Sequence, residues 1–389
     1  MKDFMRSNLF KISSMLSLCI TLNLWGCAKK LDFTPQYVYA VSGDKVNLRA
    51  NPGRNQPIVE VLNNGQGLEI LDTSKNITKE QYPNFGTLIP IYWYKVKTES
   101  GNVGFMSSQY VNLLLGHKRE TGLIGIFEQI EKGKLKATVL SILQDGVVRE
   151  PASHDIVQSK TISRVPKKLS IDHGIVLSSD QKSIGEIRNV KFAEDYTEKQ
   201  EEGCWDGYYF SGIYNGIKPT PSSLILIGLN GISESSVDFK YFTDRTIIKT
   251  IENASLSMIK KKSPDDFKGG NFLCVSGDKC IYKSVKNNGN EYIIATQTIE
   301  YPDKSGHSQV FRIDKILSDK IENIYYHDSI GGKRDVPDRE TVFAITDLDH
   351  NGILEIFTVT HGYEWWFYKI YSLEKDRVIP VFNGAGGGC

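Results

Sequence analysis

Over much of this chain apolar and polar residues alternate with a period of two, which is the pattern of half-buried strands. Val46-Asn47-Leu48-Arg49 alternates and runs into the turn Asn51-Pro52-Gly53. Ile58 to Leu62 reads as a second strand ending in Asn63-Asn64-Gly65, and Leu68 to Leu71 as a third. Trp93-Tyr94-Lys95-Val96-Lys97 alternates again, Ser100-Gly101-Asn102 reverses the chain, and Val103 to Met106 with Tyr110-Val111 completes the group. Five short strands between residues 38 and 114 predict a small β-barrel, with residues 72 to 91 as a long loop before Trp93.

From Gly116 to Cys389 the pattern stays mainly β. Ser223 to Leu229 reads as a buried strand, followed by strands at Tyr292–Ile299, Gln309–Ile313, Thr341–Ile345, Ile353–Val359 and Trp366–Tyr371. Helix is expected only at Phe239–Phe242 and Ala254–Lys260. The expected architecture is therefore mainly β: a small barrel over 38–114 and a larger β-rich domain over 116–389, sandwich or propeller-like.

The first 27 residues follow a different rule. Lys2, Arg6 and Lys11 are basic, and Ile12 to Trp25 is a mostly apolar stretch without charge. A bilayer span needs about 20 apolar residues, so this shorter run predicts a secretory signal. Its end, Leu24-Trp25-Gly26-Cys27, resembles a bacterial lipobox, with Trp25 standing where a smaller residue is usual. That resemblance implies cleavage before Cys27, lipid on its thiol, and a tether over 28–37 leading to the barrel. A lipid-anchored protein of the bacterial cell envelope is the expectation, facing periplasm or exterior. Ala28 is not the aspartate that commonly retains such proteins at the inner membrane, which favours the outer one.

Charge removes one class of partner. The chain holds 47 Lys and Arg against 46 Asp and Glu, and nothing in that balance predicts a nucleic-acid surface. Cysteine use agrees with export. Beyond Cys19 and Cys27 remain Cys204, Cys274, Cys280 and Cys389, an even set for which three connectivities exist. Cys274 and Cys280 flank a Gly277-Asp278 turn and are expected to bridge, leaving Cys204 and Cys389 as the other pair. Zinc ligation fits less well, because a lone Cys-x5-Cys has no matching histidine pair.

The run Val-Asn-Leu-Arg-Ala-Asn-Pro-Gly (46–53), the strand 93–97, and Gly-x-x-Gly-Phe-x-Ser-x-x-Tyr-Val (101–111) resemble a bacterial Src-homology-3-type domain. The resemblance covers residues 38–114; Phe105 stands where tryptophan is common. It implies contact with peptidoglycan or with envelope proteins. Trp93, Tyr94, Phe105 and Tyr110 are the aromatic candidates for that surface. Core packing is the competing role for all four.

Asp347-Leu-Asp349-His-Asn351-Gly352-Ile353-Leu-Glu355 is the sharpest chemical motif. Oxygen donors at positions 1, 3, 5 and 9, with glycine at 6, meet the demands of a compact calcium loop. Asp347, Asp349, Asn351, the carbonyl of Ile353, and Glu355 would be the ligands. The twelfth position is Thr358, so the helix-loop-helix pattern fails. The loop is instead similar to the calcium loops of FG-GAP and VCBS repeat proteins. A bare Asp/Asn/Gly turn is the alternative.

Enzymatic signatures are sparse. Gly203-Cys204-Trp205 with His350, 146 residues after Cys204, superficially resembles a papain-like pair and supplies the alternative function, a cell-wall hydrolase or peptidase. The reactive cysteine there opens a helix, whereas Trp205 to Phe210 reads as turn then strand. A non-enzymatic binding or scaffold protein is the primary expectation.

Overall fold

A computed structural model describes residues 37–388 except 74–76, 82–87, 116–120, 156–159, 164–171, 179–181, 193–207, 230–236, 238, 263–272, 275–279, 301–306, 319, 332–337 and 363–364. The fold is mainly β, as the alternation predicts.

The first group is β1 (Tyr39–Val41), β2 (Val46–Arg49), β3 (Ile58–Leu62), β4 (Gly67–Asp72), β5 (Ile77–Gln81), β6 (Leu88–Thr98), β7 (Val103–Ser107) and β8 (Val111–Leu113). Its pairing order is β3-β2-β7-β6-β4-β1-β8, so β3 is an edge strand. Residues 72–91 are not simply a loop: β5 pairs with the first half of β6 from Ile77↔Tyr92 to Gln81↔Leu88. β6 is thereby 11 residues long and continues well upstream of Trp93. A single carboxylate closes the top of this barrel. Glu60 on β3 accepts hydrogen bonds from Thr98 Oγ1 (3.0 Å), Ser100 Oγ (2.9 Å) and Asn102 Nδ2 (3.1 Å), tying the β6–β7 turn to the edge strand.

A second, closed barrel follows. Its strands are β9 (Gly122–Glu131), β10 (Lys134–Gln144), β14 (Gly174–Leu177), β15 (Ser183–Phe192), β16 (Tyr209–Gly216) and β17 (Leu224–Ile227), with β11 (Val147–Arg149) at its edge and β12 (Ala152–Asp155) and β13 (Lys160–Ser163) as a separate hairpin. The order β10-β16-β15-β14-β17-β9 closes because β9 also pairs with β10. Its interior is filled by Leu123, Phe127, Val139, Val176, Ile187, Phe210 and Ile225, all buried. Gly125 leaves the space that the Phe210 ring occupies; a Cβ there would stand 2.4 Å from that ring.

The remainder is two facing sheets and one helix. After β18 (Phe239–Tyr241) and α1 (Arg245–Lys262) come β19 (Leu273–Cys274), β20 (Cys280–Asn287), β21 (Asn290–Glu300), β22 (His307–Ile316) and β23 (Ile321–Gly331), then β24 (Arg339–Thr346), β25 (Leu354–His361), β26 (Trp365–Leu373) and β27 (Val378–Gly388). The segment at 239–242, expected to be helical, is strand β18, paired with β20 from Phe239↔Val285. The other expected helix is longer than 254–260. Asp244 caps its start, accepting from the Thr246 (2.9 Å) and Ile247 (3.2 Å) amides, and Ile248, Ile251, Ser255 and Ile259 form its buried stripe. The helix is held to its sheet by buried Arg312, which donates to Ser255 Oγ (2.9 Å) and the Ile251 carbonyl (3.2 Å) while pairing with Asp314.

Residues from Gln36 onward form one compact unit. Leu114 and Leu115 tie the first barrel to the part that follows. Leu114 N–H donates to Val38 O and Leu115 N–H to Gly146 O, each at 2.8 Å. One hydrophobic cluster runs from the first barrel (Tyr39, Leu48, Tyr94, Met106) through Ile124 and Leu140 to Phe357, Ile370 and Phe382 of the last sheet. A second cluster joins that sheet's other face to β20–β23, through Ile294, Phe311 and Ile313 against Ile345, Ile356 and Tyr371.

Candidate functional site

The first barrel sorts its four candidate aromatics into two kinds. Trp93 is 3% exposed and donates through Nε1 to Thr78 Oγ1 at 2.8 Å, so β5 covers it. Tyr94 is 4% exposed and its hydroxyl donates to the Pro380 carbonyl at 3.0 Å. Both rings are buried, Trp93 against β5 and Tyr94 against the C-terminal sheet, so the expectation that both line a ligand surface is corrected. Burial also pushes the Tyr94 hydroxyl above its ordinary range. Phe105 is half-buried and Tyr110 is exposed, so these two reach the surface.

Register shows what surrounds Phe105. The cross-strand row Ile58–Arg49–Phe105–Lys95–Asp72 runs over five strands. Facing residues of paired strands lie on one side of the sheet, and this side is the outer one, because Ile58, Val61 and Val103 beside it are exposed. Phe105 thus stands between Arg49 and Lys95 in the register, with Ile58 beyond the first and Asp72 beyond the second. Alternation finds the outward positions; only register shows that they form a row.

At the opposite end of the chain, the 347–355 loop links β24 to β25. Gly352 has φ +84° and His350 φ +56°, the left-handed conformations that let nine residues turn this tightly. The turn is held by its own side chains. Gly352 N–H donates to Asp347 Oδ2 (3.0 Å), Leu348 N–H to Glu355 Oε2 (2.9 Å), Asn351 Nδ2 to Asp349 Oδ2 (3.1 Å), and Ile353 N–H to Asn351 Oδ1 (2.7 Å). Asn287 and Asn288 from the β20–β21 turn donate to the Gly352 carbonyl at 2.9 and 3.0 Å, docking the loop on the neighbouring sheet.

The loop's electrostatics are unfavourable as they stand. Burial, then the Asp347 charge, pushes Asp349 up to about 6. Burial raises Asp347 as well. Glu355 is fully buried and raised well above the usual carboxylate range, by burial first, then Asp349 and Asp347. Its Oε1 has no hydrogen-bond partner among the described residues. The donor set of two aspartates, an amide, a carbonyl and a glutamate fits a hard cation that takes oxygen ligands. Among the described residues no group of three or more His, Cys, Asp or Glu side chains is gathered into a metal-holding cluster. Any cation here would therefore rely on Asn351 and main-chain oxygen beside the acids.

The remaining candidates divide by position. Cys27, Cys204 and Cys389 lie outside the described residues. Cys274 stands opposite Ile299 on β21 and Cys280 opposite Gln297, two steps along the same edge. Trp366 and Tyr368 meet edge-to-face at 5.2 Å. Among the described residues no helix is long and apolar enough to cross a membrane. Sequence reasoning missed a buried acid: Glu340, 3% exposed, accepts from Thr358 Oγ1 (2.7 Å), Tyr371 Oη (2.7 Å) and Lys369 Nζ (3.0 Å). It is fully engaged by these three donors and holds β24, β25 and β26 together.

Comparison with known families agrees with the first barrel. Residues 44–112 match the family described as bacterial SH3 domain, a span that runs from just before β2 into β8. No curated protein matches the chain, and no solved structure does.

Proposed function

We propose that this chain is a lipid-anchored protein of the bacterial cell envelope, binding peptidoglycan or envelope proteins through its SH3-type barrel and catalysing no reaction. The observation that carries this reading is the family match over 44–112, because domains of that kind commonly contact the cell wall. The apolar leader and Leu-x-Gly-Cys ending support export and acylation at Cys27. The 347–355 loop supports a structural calcium ion held by Asp347, Asp349, Asn351, the Ile353 carbonyl and Glu355; it would neutralise three acids crowded into one turn. Bridging of Cys274 with Cys280, and of Cys204 with Cys389, completes a body suited to an oxidising compartment.

The test is co-sedimentation of the full chain, in detergent, with purified peptidoglycan sacculi. Wild-type protein should be retained, Phe105→Ala and Tyr110→Ala should be retained less, and Trp365→Ala on the C-terminal sheet should behave as wild type. A wild-type chain left wholly in the supernatant would overturn the wall-binding reading.

A further inference from the structure

The usual inner side of the small barrel is spoken for. Tyr94 and Tyr39 point into the C-terminal sheet, Tyr39 Oη reaching Ser372 Oγ at 3.0 Å and Glu374 Oε1 at 2.6 Å. Whatever the barrel recognises must meet another surface. Among the described residues, the outer face across β3, β2, β7 and β6 is exposed, and it has three properties that belong together.

The first is exposed apolar area. Ile58, Val59 and Val61 on edge strand β3 are 54%, 41% and 52% exposed, and Val103 on β7 is 43% exposed. An apolar patch on a sheet edge invites pairing with another chain and is usually guarded against it. Here no lysine or proline interrupts β3, whose sequence is Ile-Val-Glu-Val-Leu.

The second is unneutralised positive charge. Lys97 has Glu69 at 3.6 Å. Asp72 interacts with Arg377 of the β26–β27 turn, whose charge it favours. Arg49 and Lys95 have no carboxylate partner among the described residues; Arg49 Nη1 only donates to the Gln56 carbonyl at 2.7 Å. Among the described residues Arg49 and Lys95 are thus cations without a carboxylate partner, one on each side of Phe105 in the register and close to exposed Ile58 and Val103. The third property is order: Glu60 locks the edge strand to the β6–β7 turn, so the face is held in place before any ligand arrives.

We propose that this outer face binds a carboxylate-bearing peptide, seating the carboxylate between Arg49 and Lys95 and an apolar side chain on Phe105. Arg offers a fork of donors matched to a carboxylate, and Lys a point charge beside it. This rests on the wall-binding reading and narrows it: the ligand is the peptide of peptidoglycan, with its free carboxylates, and not the sugar strand.

Two soluble probes separate these cases, a disaccharide-tetrapeptide fragment of peptidoglycan and the same disaccharide without its peptide. The full chain in detergent should bind the first and not the second, and rising salt should weaken the binding. Lys95→Glu should raise Kd about tenfold, a loss of about 1.4 kcal/mol. Lys95 has no ion pair to lose in the folded state, so its melting temperature should hold. Arg49→Gln should weaken binding as well. Equal binding of the bare disaccharide, or undiminished peptide binding by the Lys95→Glu, Arg49→Gln double variant, would overturn this proposal while leaving sacculus retention intact. Loss of sacculus retention by the wild type would instead remove the wall-binding reading beneath it.

Discussion

The Tyr94 hydroxyl donates to the Pro380 carbonyl at 3.0 Å, although 286 residues of chain separate them. A similar link lies nearby, where Arg377 Nη2 donates to the Ile70 carbonyl at 2.9 Å and Arg377 also pairs with Glu374. These bonds sit at the rim of a hydrophobic cluster that continues from the barrel interior into β27 through Ile379, Val381 and Phe382. The barrel's stability is therefore partly the C-terminal sheet's.

Tyr94→Phe should destabilise the folded unit by about 1 kcal/mol, the usual net value of such a hydrogen bond. Tyr94→Ala should cost about 3–5 kcal/mol, as large-to-small changes in a core do. Sacculus retention should be unchanged for Tyr94→Phe at temperatures where the protein is folded. Denaturant melts read by circular dichroism check the first two, and a selective loss of binding without loss of stability would return Tyr94 to the ligand surface. A chain ending at residue 114 would expose Tyr39, Tyr94 and Met106, buried here, and should melt well below the full protein.

Much of this fold was legible as alternation. The strands at 46–49, 58–62, 93–97 and 103–106 each fall within strands of the structure, because period-two burial is a local property. What alternation could not show was partnership. β5 and the start of β6 pair across a segment that reads as a loop when each is considered alone. The closed barrel of β9, β10 and β14–β17 depends on long-range pairings such as Thr138↔Tyr209, which have no local signature. The aromatic candidates divided for the same reason: Trp93 and Tyr94 alternate perfectly, yet β5 covers the first and the C-terminal sheet the second. The tight Asp/Asn/Gly turn at 347–355 was legible, since its glycine and its turn-forming side chains are contained in nine residues.

Acylation at Cys27 has a direct consequence. Cys27→Ser should leave the leader uncleaved or release the body from the membrane fraction, because no other apolar run is long enough to anchor it. Fractionation of cells expressing the two forms, with mass spectrometry of the amino-terminal peptide, checks this. Equal membrane partitioning by the serine form would contradict the anchor.

The cysteine pairing is tested by alkylation of the unreduced, unfolded protein. Cys204, Cys274, Cys280 and Cys389 should all be protected, and proteolysis should yield a Cys274–Cys280 linked peptide. Breaking that small loop with Cys280→Ser should cost about 2 kcal/mol on the chain-entropy account. A free thiol at Cys274 or Cys280 would rule the bridge out.

The 347–355 loop ties calcium to pH. Asp349, pushed up to about 6, and Glu355, raised well above the usual carboxylate range by burial, both hold protons more tightly folded than unfolded. Groups of that kind favour the folded state at low pH, and their contribution is lost as pH rises through the folded values. Without a cation, then, this loop weakens the protein between about pH 4 and pH 7. Calcium competes with those protons, so its effect should grow over the same interval. Extracellular calcium modules bind at about 10⁻⁴ to 10⁻³ M, and at such affinity 10 mM calcium adds about 1.5 to 3 kcal/mol at pH 7.5. The melting temperature should rise by a few degrees there and by much less at pH 5, and magnesium should do little at either. Asp347→Ala should abolish the increment, and Glu355→Gln should remove most of it while raising the metal-free melting temperature at pH 7.5, since the buried charge is gone. A melting curve indifferent to calcium and to chelator at pH 7.5 would leave a self-satisfied Asx turn as the whole account of the motif.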